Sequence, residues 1–129
     1  AIEYAAMKAV MDIEKRLGYV PVDVSASNRG YDIESYIPKE RRQSTESLRF
    51  IEVKGRAKGA DLVTITKNEI LTALNKEDNF ILAIVEVDGA ETHTVYLKQP
   101  FRSTPDFAVT SSNYNIMDLI QQAEIIYQE

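Results

Sequence analysis

The chain has 129 residues, 44% hydrophobic and 27% charged, with a net charge of −5 and no cysteine. That suffices for one domain with its own core, excludes a disordered chain, and leaves no means for disulfides or thiolate metal sites. An acidic balance (pI about 5.0) argues against binding nucleic acid through a broad basic surface.

No apolar run approaches the ~18 residues of a membrane span, and no signal peptide opens the sequence. The expectation is therefore one cytoplasmic domain over residues 1–129. The first residue is Ala1 and a helix follows almost at once, which suggests a domain excised from a larger protein.

Ile2, Ala6, Ala9, Val10, Ile13 and Leu17 recur at helical spacing and predict an amphipathic helix closed by Gly18. Tyr19 to Val24 reads as a first strand, held near an edge by Pro21. Residues 25–30 are turn chemistry, and Tyr31 to Ile37 is a second strand. Residues 38–47 form a polar loop. Leu48 to Gly55 and Leu62 to Ile65 are the third and fourth strands.

Thr66-Lys67-Asn68-Glu69 matches a capping box that starts a helix running to about Asn75. Phe80 to Val87 is a continuous apolar run, the pattern of a strand buried on both faces. Asp88-Gly89 turns it into a further strand at Thr92 to Leu97. Gln99 to Tyr114 lacks periodicity. Asn115 then caps a last helix whose face is Ile116, Leu119, Ile120, Ala123 and Tyr127. The order predicts an α/β fold with a mixed sheet.

One segment carries specific chemistry. In Ile51-Glu52-Val53-Lys54-Gly55, strand alternation puts Glu52 and Lys54 on one face. If the second and third strands pair, Asp32 meets them there. Two carboxylates suit magnesium, which takes one or two and leaves its other positions to water and substrate phosphate. A lysine beside that ion can orient a water or offset charge on a phosphodiester under attack.

An acid on one strand followed by Glu-x-Lys on the next resembles the PD-(D/E)XK motif of restriction-endonuclease-like nucleases. More narrowly, the chain resembles the NO VEIN C-terminal domain family. That resemblance runs through residues 10–14, Leu17-Gly18, residues 23–25, Gly30-Tyr31-Asp32-Ile33, residues 51–56 and Thr66-x-Asn68-Glu69, over roughly residues 5–87. It implies a restriction-endonuclease-like α-β-β-β-α-β core with a central mixed sheet flanked by helices. It also implies magnesium or manganese on Asp32, Glu52 and the Val53 carbonyl, with Lys54 catalytic and Glu14 an auxiliary acid from the first helix. Such domains are often joined to helicase-like or ATPase partners, and the fold commonly cuts both DNA strands as a homodimer. The literal Pro-Asp pair is absent, since Tyr31 precedes Asp32.

Arg41, Arg42, Arg56, Lys58 and Lys67 are the candidate phosphate-holding cations for DNA. Plainer readings compete. Glu-x-Lys is a common surface pair, Glu14 has Lys8 and Arg16 near it in sequence, and the cap alone accounts for Glu69. Gly30 and Gly55 mark turns or close backbone approach. His93, the only histidine, has no His or Cys partner for zinc and reads as structural. A nuclease-derived module that binds DNA or a protein without cutting is the alternative function.

Overall fold

The computed structural model describes residues 1–106 and 108–129. Helix α1 (Ile2–Arg16) buries Ala6, Val10 and Ile13, the stripe its spacing predicts. It stops where Gly18 takes a φ of 89°, with the Gly18 and Tyr19 N–H groups donating back to Lys15 and Glu14. Strands β1 (Val20–Asp23), β2 (Ile33–Tyr36) and β3 (Leu48–Ala57) then run antiparallel in sequence. β4 (Leu62–Thr66) leads into α2 (Lys67–Asn75), whose capping box forms as predicted. β5 (Phe80–Asp88) and β6 (Glu91–Lys98) make a hairpin.

Together these make a mixed α/β fold. The six-stranded sheet has the order β1-β2-β3-β5-β6-β8, where β8 is Glu124–Gln128, with β3 and β5 parallel and the other pairs antiparallel. β1 is an edge, where Pro21 loses no ladder bond. β5 is central, and its first six residues are all buried, which explains the unbroken apolar run.

Beyond β6 the structure departs from expectation. Residues 111–115 form a strand, β7, that pairs with β4 in a separate two-stranded sheet. The final helix is short: α3 (Ile116–Gln122) ends at Ala123, and Glu124–Gln128 is an edge strand, β8, on β6. Tyr127 therefore packs beside Tyr96, 5.2 Å between ring centroids, rather than on a helix face.

The sheet has a core on each side. Ile33, Ile51, Ala83, Val85 and Tyr96 face α1, while Phe50, Leu82, Ile84 and Leu97 face α2 and α3. β3 thus alternates cleanly, with Ile51 and Val53 toward α1 and Phe50 toward α2. Two glycines bring backbone close where the sequence expects it. A Cβ on Gly55 would sit 2.8 Å from that of Ala6, so α1 rests directly on β3. One on Gly30, at a φ of 83°, would collide with Thr72 of α2. Among the described residues, no helix is long and apolar enough to cross a membrane.

Candidate active site

β2 and β3 do pair, with Ile33 opposite Ile51. Asp32, just before β2, is fixed by backbone as well as side chain. Its N–H donates to the Ile51 carbonyl at 2.9 Å, and its Oδ2 accepts the Val53 N–H at 2.9 Å. The aspartate is thereby registered against the middle of Glu52-Val53-Lys54.

Glu52 is only 4% exposed. Lys54 Nζ lies 3.4 Å from Glu52 Oε2 and 2.9 Å from Glu69 Oε1. Glu69 is the third residue of α2, and its carboxylate also accepts the Thr66 N–H at 2.9 Å. The capping residue and the site residue are the same side chain. From sequence the cap alone accounted for Glu69. The signal available was only that Thr66-x-Asn68-Glu69 recurs beside the other motifs.

Glu52 and Glu69 therefore share one ammonium, and the Asp32 charge adjoins Glu52. Burial, reinforced by the Asp32 and Glu69 charges, pushes the Glu52 carboxyl up to about 10. Burial also works against the Lys54 charge, but Glu52 and Glu69 outweigh it and hold the amine above its ordinary value. The group has more negative charge than its one cation offsets.

Asp32 and Glu52 line two cavities that share Ser25. One, about 280 Å³, is bounded by Glu3, Ala6 and Met7 of α1 and by Gly55. The other, about 420 Å³, is bounded by Asn28, Arg29, Tyr31, Asn68 and Glu69. The α1 acid at this place is Glu3, because Gly55 lets the first turn of α1 settle on β3. Nothing in the helical periodicity singled it out.

Glu14 is not brought there. It is fully buried on the α1 face of the sheet, where Arg49 donates to both of its oxygens at 2.8 and 3.1 Å and the Tyr96 hydroxyl donates at 2.9 Å. Arg49 is three residues from Glu52 on β3, so its side chain leaves by the opposite face. The stripe position that made Glu14 a candidate is real, but its carboxylate belongs to a closed ion pair.

The expected phosphate-holding cations do not line either cavity. Arg41 lies against Gly18, its Nη1 3.5 Å from the Leu17 carbonyl, and Arg42 donates to the Ile37 carbonyl and the Tyr36 hydroxyl. Lys58 pairs with Asp88 at 3.4 Å. Arg56 borders a separate, largely apolar cleft with Glu86, exposed His93 and Ile120. Lys67 opens α2, its N–H donating to the Thr110 carbonyl. The basic residue on the cavity wall is Arg29, paired with Glu34 at 2.9 Å.

No set of three or more His, Cys, Asp or Glu residues arranged to hold a metal occurs among the described residues. Two carboxylates are all that magnesium asks of a protein, and these are hard oxygen donors with no sulfur or imidazole among them. A divalent cation would favour the ionised form of Glu52, which burial and the neighbouring acids otherwise disfavour. On both grounds the residues fit such an ion.

Fold and site define a mixed α/β domain with an acid-lined pocket on its central sheet and a lysine paired with two of those acids. The family described as "Protein NO VEIN, C-terminal" matches residues 2–97, and the chain belongs to that family. The matched segment holds every residue of the pocket. No curated protein matches the chain, and no solved structure does.

Proposed function

We propose that this domain is a magnesium- or manganese-dependent endonuclease acting on DNA, a member of the PD-(D/E)XK superfamily, working within a helicase- or ATPase-containing protein. One observation carries the reading: the Asp32 carboxylate is hydrogen-bonded onto the Val53 amide, which sets it beside Glu52, itself paired with Lys54.

Asp32 and Glu52, with the Val53 carbonyl, would hold the ion. When bound, it would polarise the scissile phosphate and acidify a water. The Lys54 ammonium orients that water and offsets charge building on the phosphate oxygens. Glu14 takes no part, since its oxygens are occupied by Arg49 and Tyr96. With a net charge of −5, most DNA affinity comes from Arg29 and the outer cations Arg41, Arg42, Arg56, Lys58 and Lys67, or from the attached protein.

Nicking of supercoiled plasmid with each metal tests this. The expected result is metal-dependent cleavage that falls about 10²–10³-fold in Asp32→Ala and Lys54→Ala, with circular dichroism unchanged. Intact plasmid with both metals would contradict it. The pairing of Lys54 with two carboxylates favours a second reading, a module that has kept the site as structure and binds DNA without cutting. DNA binding with no heat on metal titration would select that one.

A further inference from the structure

We infer that Glu69 is a positioning residue for Lys54, tying the catalytic amine to the first turn of α2; this rests on the nuclease reading of the same site. A lysine is a charge on a flexible four-carbon stem, and something must hold its head in place. Glu52 does so poorly, at 3.4 Å. Glu69 does so at 2.9 Å, with the oxygen that also accepts the Thr66 N–H.

The glutamate is in turn fixed by its own backbone, because the Glu69 N–H donates to Thr66 Oγ1 at 3.1 Å. The carboxylate that holds the amine is itself held by the Thr66 backbone N–H, which does not depend on the threonine side chain. The amine leans toward Glu69 and takes up less of Glu52 than of Glu69.

α2 supports the other half of the site as well. Gly30 packs so tightly on Thr72 and Asn68 that the loop carrying Asp32 rests on the same helix. One helix end therefore sets the aspartate loop against the lysine. The role inferred for Glu69 is exerted through Lys54, which makes it positioning rather than catalysis.

A merely structural Glu69 would act only as a cap, and then Thr66→Ala and Glu69→Ala would behave alike. Nicking kinetics on the two variants separate the roles. The expectation is that Glu69→Ala lowers kcat about 10–100-fold with KM near wild type. Thr66→Ala should lose comparable Tm but keep kcat within about 3-fold of wild type. Glu69→Gln, whose amide oxygen can still accept from both donors, should recover most of the rate. Equal loss of kcat in Thr66→Ala and Glu69→Ala would overturn the inference, as would full activity in Glu69→Ala.

A readout without turnover keeps the test separate from the nuclease reading. The Lys54 ammonium should give a slowly exchanging ¹⁵N signal at low temperature in wild type and Thr66→Ala, and lose it in Glu69→Ala. A signal unchanged in Glu69→Ala refutes the positioning role even in a protein that cuts nothing. Absence of cleavage with that signal behaving as expected refutes the nuclease reading alone.

Discussion

β3 buries a glutamate-bearing cluster on each of its two faces, and the two clusters are built in opposite ways. Toward α1, Glu14 meets a bidentate arginine and a tyrosine hydroxyl, and Arg49 also lies over the rings of Tyr19 and Tyr96 at 4.8 and 5.7 Å. Charge there is balanced and every carboxylate oxygen is satisfied. Toward α2, Glu52 and Glu69 share one lysine with the Asp32 charge beside them, and Glu52 is left with a carboxyl lifted to about 10. A balanced buried pair belongs to the architecture, whereas an unbalanced one is costly unless something else binds. That contrast, more than the presence of acids, is why the proposed site is placed on the α2 face.

The largest stability effect is expected on the balanced side. Arg49→Ala leaves the Glu14 charge buried without its partner and should cost about 3–5 kcal/mol in urea unfolding, with no direct effect at Asp32 or Glu52. A loss below about 1 kcal/mol would mean that Glu14 is not the closed structural pair described.

Next comes the pH dependence of the unbalanced side. In metal-free protein, folded Glu52 keeps its proton up to about 10, while the unfolded chain releases it near 4.5. The folded state binds more protons between those values, so this contribution is full below 4.5 and is lost as pH rises toward 10. The slope approaches about 1.4 kcal/mol per pH unit at most. Glu52→Gln should therefore be the more stable protein at pH 8, by a margin that shrinks toward pH 4.5. If wild type and variant have parallel pH profiles, the surplus-charge account fails.

Two smaller effects test the geometry. Gly55→Ala pushes a methyl against Ala6 and Ile2, and should cost about 1–3 kcal/mol by lifting the first turn of α1 off β3. If Glu3 owes its place at the cavity to that contact, the backbone amide of Glu3 will shift in the same variant's NMR spectrum. Asn115→Ala removes the acceptor for the Asp118 N–H at the start of α3 and should cost about 1 kcal/mol, with the site unaffected.

What the sequence disclosed was local. α1, the capping box and the β3 alternation rest on spacings within one element, and each of them formed. β7 escaped because Ser111-Ser112-Asn113-Tyr114-Asn115 has no apolar alternation. It is a strand by virtue of β4 alone, through pairing such as the Thr64 hydroxyl bonded to Asn113 Oδ1 at 2.6 Å. β8 escaped for the converse reason. Ala123 and Tyr127 extend the helical spacing of Ile116, Leu119 and Ile120, yet Glu124-Ile125-Ile126-Tyr127 finds a free edge on β6 and pairs there.

The site divided along the same line. Asp32, Glu52 and Lys54 were legible because a short motif holds them on adjoining strands. Glu14, Glu3 and Glu69 were not. Their roles depend on Arg49 and Tyr96, on Gly55 beneath α1, and on where the start of α2 meets β3.

The most direct measurement is a calorimetric titration of the metal-free domain with magnesium and with manganese, in wild type and in Glu52→Gln. The account predicts saturable binding of at least one ion in wild type, with protons released as Glu52 ionises, and no such binding in the variant. No heat in either protein, or the same isotherm in both, would contradict it.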